Sequence, residues 1–131
     1  MSKYGKIIIP FGVVIERHEI DTAKILISLG HDVIFLVPVG TKGIRTPDIE
    51  MNGRRWEIKC PTGSSKRTIE NLYRSAEGQS ENLIFNIRGI KLSESVAISI
   101  IRREFDHRIR KIKRIIIITK DKKIIDISRN K

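Results

Sequence analysis

The stretch Thr46-Pro47-Asp48-Ile49-Glu50-Met51-Asn52-Gly53-Arg54-Arg55-Trp56-Glu57-Ile58-Lys59-Cys60 decides the fold. Asn52-Gly53 is the strongest short hairpin signal, because a two-residue hairpin turn needs both central residues at positive φ. A two-residue loop sets Met51 opposite Arg54, Glu50 opposite Arg55, Ile49 opposite Trp56 and Asp48 opposite Glu57. Strand alternation then collects Asp48, Glu50, Arg55, Glu57 and Lys59 on one face, with Ile49, Met51, Trp56 and Ile58 on the other.

Two carboxylates directly opposite one another repel and weaken a sheet. A divalent cation (Mg, Mn or Zn) held between Asp48 and Glu57 would account for the pair. Lys59, two residues along the same strand, would then orient a water or steady a developing negative charge. An ordinary solvated hairpin face is the competing reading, because Glu and Lys are common there and the Asp-x8-Glu-x-Lys pattern is short.

Working outward from the hairpin, residues 7–9 read as a short strand closed by Pro10. Residues 16–29 carry apolar positions at Ile20, Ala23, Leu26 and Ile27 with Gly30 just beyond, a helical pattern. Residues 32–37 follow as a strand, and 38–46 as a loop containing Gly40 and Gly43. After the hairpin, residues 61–65 break the chain, and a helix is predicted over 66–77 with Ile69, Leu72, Tyr73 and Ala76 in one stripe. Residues 82–87 read as a strand, Ser93 as the N-cap of a third helix, and 114–119 and 123–127 as two strands. The continuous run Ile115-Ile116-Ile117-Ile118 suits a strand buried on both faces. The order predicts a single-domain α/β fold spanning 1–131, a mixed β-sheet flanked by helices.

Composition narrows the partner. The 131 residues carry 26 Lys and Arg against 15 Asp and Glu, a formal net charge of +11. Residues 100–131 alone hold 12 Lys/Arg and 4 Asp/Glu. Such an excess points to a polyanion, most often nucleic acid, with a merely solvated basic surface as the bland alternative. There is no apolar run long enough for a membrane span and no signal-peptide pattern. One cysteine, Cys60, cannot form an internal disulfide and reads as a strand residue rather than a nucleophile, compatible with a reducing cytoplasm.

Other constellations carry less. His18-Glu19 lacks the second histidine of a zinc-protease helix. Glu19 either turns towards the hairpin as a further acid or simply favours a helix N-terminus. Gly63-Ser64-Ser65-Lys66 lacks the leading glycine of a P-loop, yet small hydroxyls ahead of a helix followed by Lys66 and Arg67 suit either a phosphate or plain N-capping. Trp56 and Tyr73 are read as core, and His31 and His107 receive no role.

Helix, three strands carrying Pro47-Asp48 and Glu57-Ile58-Lys59, then helix and strand, resembles the core of the PD-(D/E)xK (restriction-endonuclease-like) nuclease superfamily. The longer runs Thr46-Pro-Asp-Ile, Trp56-Glu-Ile-Lys, Gly63-Ser-Ser-Lys-Arg-Thr-Ile-Glu-Asn71, Ile90-Lys-Leu-Ser-Glu-Ser and Ile117-Ile-Thr-Lys-Asp look like the tRNA-nuclease C-terminal domain of contact-dependent growth inhibition toxins. That resemblance covers nearly the whole chain. It implies a metal-dependent ribonuclease, a tRNA-cleaving toxin of interbacterial competition, acting in the target-cell cytoplasm and neutralised in the producer by a cognate immunity protein. It also implies that Asp48 and Glu57 bind the metal and Lys59 positions the attacking water, with Glu19 a fourth catalytic member. Ser65, Lys66 and Asn71 would contact substrate. Such domains normally end very long secreted proteins, whereas this chain opens on Met1, which is compatible with an excised domain, a separate module or a relative with a reassigned task. A DNA endonuclease of the same superfamily, of resolvase, restriction or repair type, and a non-catalytic basic nucleic-acid-binding module are the alternative readings.

Overall fold

The computed structural model describes residues 4–38, 46–108 and 111–129. The loop expected over 38–46, with Gly40 and Gly43, lies outside the described residues apart from its two ends. Seven strands and three helices alternate as β1 (Ile7–Ile8), α1 (Arg17–Ser28), β2 (Val33–Phe35), β3 (Ile49–Met51), β4 (Arg54–Lys59), α2 (Lys66–Glu77), β5 (Asn82–Asn86), α3 (Glu94–His107), β6 (Arg114–Ile118) and β7 (Ile124–Ser128). A 3₁₀ turn, Ile87–Gly89, follows β5. The expected mixed sheet flanked by helices is what the chain forms.

All seven strands join one sheet whose spatial order is the chain order. β1 and β2 are parallel, β2, β3 and β4 form an antiparallel meander, β4, β5 and β6 are parallel, and β7 returns antiparallel to β6. The two parallel steps in the centre are crossed by α2 and α3, as parallel pairing requires. Alternate residues of β5 and β6 feed two cores. Leu83, Phe85, Ile115 and Ile117 pack with Ile69, Tyr73 and Ala76 of α2 and Ala97, Ile100, Ile101 and Phe105 of α3. Ile84, Ile116 and Ile118 pack on the other face with Trp56, Ile58 and the α1 residues Ala23, Ile25 and Leu26. α1 therefore covers one face of the sheet, and α2 and α3 cover the other. The isoleucine run of β6 is buried from both sides, as its unbroken apolarity predicts.

The helix ends are set by local chemistry. Ser65 caps α2 by accepting the Arg67 N–H at 3.2 Å, and Ser93 caps α3 by accepting the Val96 N–H at 3.3 Å. Glu16 and Glu19 form a reciprocal capping box at the start of α1. The hairpin turn is formed at Asn52 (φ 55°) and Gly53 (φ 75°), both positive as the dipeptide implies.

The register confirms most of the expected pairing and corrects its end. Met51 faces Arg54, Glu50 faces Arg55 and Ile49 faces Trp56. The ladder then stops, so Asp48 and Glu57 are not a ladder pair. Pro47 has no N–H to contribute. Asp48 donates its N–H to the Trp56 carbonyl at 3.0 Å, and its Oδ2 accepts the Ile58 N–H at 2.8 Å. A second correction concerns the polar face. It is exposed only near the turn, at Arg55, whereas Glu57 is buried at 4% exposure. Cys60 lies one residue beyond β4 rather than within it.

Trp56 and Tyr73 are core residues, as expected. Trp56 satisfies its indole N–H on the Met51 carbonyl at 3.0 Å. The Tyr73 hydroxyl is buried with no hydrogen-bond partner among the described residues. A buried unpaired hydroxyl contributes nothing to offset its desolvation. Tyr73→Phe is therefore expected to leave stability unchanged or raise it by up to about 1 kcal/mol, measured by urea unfolding. A loss exceeding that amount would show that the hydroxyl is satisfied in solution.

Candidate active site

β4 projects Glu57 and Lys59 from one side of the strand, because they are two residues apart in an extended chain. In the parallel ladder they lie opposite Leu83 and Phe85 of β5, which anchors them to the centre of the sheet. The Lys59 Nζ stands 3.4 Å from Glu57 Oε2, and both side chains are largely withdrawn from water. The other carboxylate oxygen, Glu57 Oε1, is buried and has no hydrogen-bond partner among the described residues. Half of a buried carboxylate is thus bonded to an ammonium group, while the other half is desolvated without compensation.

Asp48 reaches this group from the mouth of the hairpin, its position fixed by the bond from the Ile58 N–H. Glu19 arrives from the first turn of α1. Its Oε1 lies 3.4 Å from the Glu16 N–H in the capping box, and its carboxyl also meets that of Asp48. The two readings of Glu19 left open by the sequence are therefore compatible: it serves the helix end and faces the hairpin acids. Glu16, Glu19, Asp48, Phe35 and Pro47, with the 13–15 segment, line a cavity of about 230 Å³.

Electrostatics reflect this crowding. Burial, followed by the repulsion of Asp48, pushes the Glu57 carboxyl up to about 7, with Lys59 pulling the other way. Burial and Asp48 also push Glu19 up to about 7. Carboxyl groups so displaced are found where a site needs a proton exchanged near neutrality or a cation bound. Burial likewise raises the Cys60 thiol, which has no thiolate character to make it a nucleophile.

The fit of a divalent cation can be judged from the donors. Glu57 Oε1 is a hard oxygen without a partner, and Asp48 beside it is a second hard donor, the kind Mg²⁺ and Mn²⁺ prefer. Among the described residues no group of three or more His, Cys, Asp or Glu side chains is assembled to hold a metal by itself. This is compatible with Mg²⁺, which keeps several waters and takes only one or two carboxylates from a protein. It is less suited to Zn²⁺, whose sites are built from closed sets of nitrogen and sulfur ligands.

The remaining expected contacts are on α2 and its cap. Ser65 and Lys66 are exposed at the N-terminal end of α2, and Asn71 is exposed further along the same helix. Ser65 is occupied as the helix cap, and no hydrogen bond ties any of the three to Glu19, Asp48 or Glu57 among the described residues. Two residues with no sequence signal support the site from behind. Asn86, at the end of β5, donates to the Thr22 hydroxyl at 2.9 Å, and Thr22 donates to the His18 carbonyl at 2.8 Å. Cys60 Sγ lies 3.4 Å from the same hydroxyl. This buried chain fixes α1 against the ends of β4 and β5. A threonine inside a helix and an asparagine at a strand end are too common for sequence to single them out.

Residues 45–124 match the family model of the contact-dependent growth inhibition CdiA C-terminal domain. The chain belongs to this family. Asp48, Glu57 and Lys59 fall inside the matched span, and Glu19 precedes it. A solved CdiA-CT/CdiI toxin and immunity complex from Burkholderia pseudomallei contains a chain of similar fold, with a TM-score of 0.71 and 20% sequence identity, covering 95% of this chain and 100% of that one. No curated protein matches. For a CdiA C-terminal domain, the described helices include none long and apolar enough to cross a membrane.

The raised Glu57 and Glu19 carboxyls make a prediction for the metal-free domain. A carboxyl whose folded value lies above its unfolded one contributes stability below about pH 4.5 and loses it as pH rises through about 7. In chelator, the wild-type melting temperature should therefore fall between pH 5 and pH 8, and Glu57→Gln should flatten that fall and melt higher at pH 8. An unchanged slope in Glu57→Gln would count against a desolvated, repelled carboxyl.

Proposed function

We propose that this CdiA C-terminal domain is a metal-dependent endoribonuclease with a PD-(D/E)xK-type centre, and that tRNA is its substrate. The observation that carries this reading is the buried Glu57, with one oxygen against Lys59 at 3.4 Å and the other unpaired beside Asp48. A structural ion pair would satisfy both oxygens, because half-compensated buried charge is costly. A centre that must take up a cation leaves one oxygen available.

Asp48 and Glu57 would hold the divalent ion, which when bound would neutralise charge on the scissile phosphate and lower the pKa of an attendant water. Lys59 has a role of its own. Its ammonium group, held in place by Glu57, orients the attacking water and stabilises the extra negative charge of the pentavalent phosphorus. Glu19, poised near neutrality, can accept the proton that the water gives up. Ser65 and Lys66, exposed at the start of α2, offer contacts to a neighbouring phosphate, and Asn71 an amide further along the strand of RNA. The net charge of +11 draws the polyanion to this surface and suits a cognate immunity protein with an acidic face.

Incubation with total tRNA and with duplex DNA in Mg²⁺, Mn²⁺ or Zn²⁺ tests the reading directly. Cleavage of tRNA supports it, cleavage of DNA alone would move the domain to the DNA endonucleases of that superfamily, and binding without cleavage would make it a binding module. Asp48→Asn and Lys59→Ala should each lower cleavage at least about 100-fold, the scale at which a single electrostatic or acid–base group acts in catalysis. Asp48→Asn retains an oxygen able to accept the Ile58 N–H, so its fold should persist by circular dichroism. Wild-type turnover by either variant, or full activity in EDTA, would overturn the assignment.

A further inference from the structure

On the same face of the sheet as α1, three cations from different elements line one cleft. Lys24 comes from α1, Arg88 from the 3₁₀ turn after β5, and Lys122 from the turn between β6 and β7. With Asp21, Ile25 and Ser28 they line a cavity of about 260 Å³. No ion pair engages Lys24, Arg88 or Lys122 among the described residues, and the one acid in the cleft, Asp21, leaves a local excess of positive charge.

The cleft lies at the end of the sheet where the acids sit. β4, β5 and β6 are parallel, and Lys59, Arg88 and Lys122 follow or end those strands at their C-terminal edge, the edge where open α/β sheets receive ligands. The two regions are also physically tied. The Arg88 N–H is held by Asn86 Oδ1 at 3.2 Å, Asn86 donates to Thr22, and Thr22 touches Cys60, the residue after Lys59.

Lys122 supplies a second, independent observation. Its φ is 65°, in the left-handed region, where a residue with a Cβ carries a conformational cost that glycine avoids. The turn is otherwise well made, with Lys122 N–H donating to the Thr119 carbonyl at 3.0 Å and Thr119 N–H to that of Lys123 at 2.8 Å. A lysine kept at a position that favours glycine, its side chain on an uncompensated basic cleft, is strain located where a ligand would repay it.

We infer that the cleft between α1 and the turns after β5 and β6, lined by Lys24, Arg88 and Lys122, is a second phosphate-binding subsite that holds the RNA backbone next to the nucleotide being cut. The inference rests on the proposed ribonuclease activity and extends the substrate track beyond Ser65, Lys66 and Asn71 to the opposite face of the sheet. The cations act as electrostatic contacts to phosphate oxygens, so they set affinity and salt dependence and leave the chemical step to the acids and Lys59.

The test uses fluorescein-labelled bulk tRNA and fluorescence anisotropy over a salt series, in the Asp48→Asn background so that RNA survives the measurement. Lys122→Gly and Arg88→Gln should each weaken binding about 3- to 10-fold and lower the slope of log K against log salt by about 0.7–0.9, the value of one lost phosphate contact. Lys122→Gly should at the same time raise the melting temperature, because it relieves the left-handed lysine, so weaker binding cannot be ascribed to misfolding. Lys113→Gln, at the opposite end of the sheet, is the control and should change neither quantity. In the cleaving protein, Lys122→Gly should raise KM and leave kcat near wild type. Unchanged binding by both cleft variants, or an equal loss in Lys113→Gln, would overturn the subsite while leaving the nuclease standing. Failure of the Asp48→Asn protein to bind tRNA at all, with no cleavage by wild type, would remove the activity on which the subsite rests.

Discussion

The bond from the Ile58 N–H to the Asp48 carboxylate, 2.8 Å long, determines how the rest of the site is arranged. There a side-chain carboxylate, rather than a backbone carbonyl, accepts the N–H of the partner strand. The strand pairing therefore ends there instead of continuing into the connection to β2. That substitution holds a carboxylate at a strand end where it meets two others, one from the neighbouring strand and one from a helix. Remove the bond, and Asp48 would be free to swing away from Glu57 into water.

Crowded acids are kept together only because the scaffold around them is stiff. Trp56 and Ile58 pack into the α1 core on one side of β4, so the strand cannot twist to release Glu57. On the other side, Leu83 and Phe85 belong to the core under α2 and α3. The Asn86–Thr22 bond fastens the helix that bears Glu19 to the strand next to Glu57. The destabilisation stored in the carboxylates is thus met by apolar burial on both faces, a common arrangement where function and stability compete.

Much of the architecture was legible in the chain because local signals agreed with the global fold. Asn52-Gly53 fixed the hairpin and three of its pairings, Ser65 and Ser93 marked two helix starts, and the isoleucines of β6 announced a strand covered twice. The 66–77 helix matched its expected bounds residue for residue. What could not be read was everything that depends on side chains crossing between elements. Parity placed Asp48 opposite Glu57 without foreseeing that the Asp48 side chain would take the Ile58 N–H where the ladder ends. It put Glu57 on a polar face without foreseeing that the sheet would bury it. Thr22 and Asn86 are 64 positions apart, and Lys24, Arg88 and Lys122 are equally scattered, so no spacing rule groups them.

The sheet order carries one more implication, which concerns how the domain comes to be folded. No strand pairs across another: each strand lies beside the one before it and the one after it in the chain. Each new pairing closes a loop only as long as the helix or turn between neighbours, so the entropic cost of closure is met in modest instalments. The sheet can therefore be extended strand by strand along the chain. A chain emerging from either end could begin to form its sheet before the remainder arrives, and no segment has to thread through a completed part.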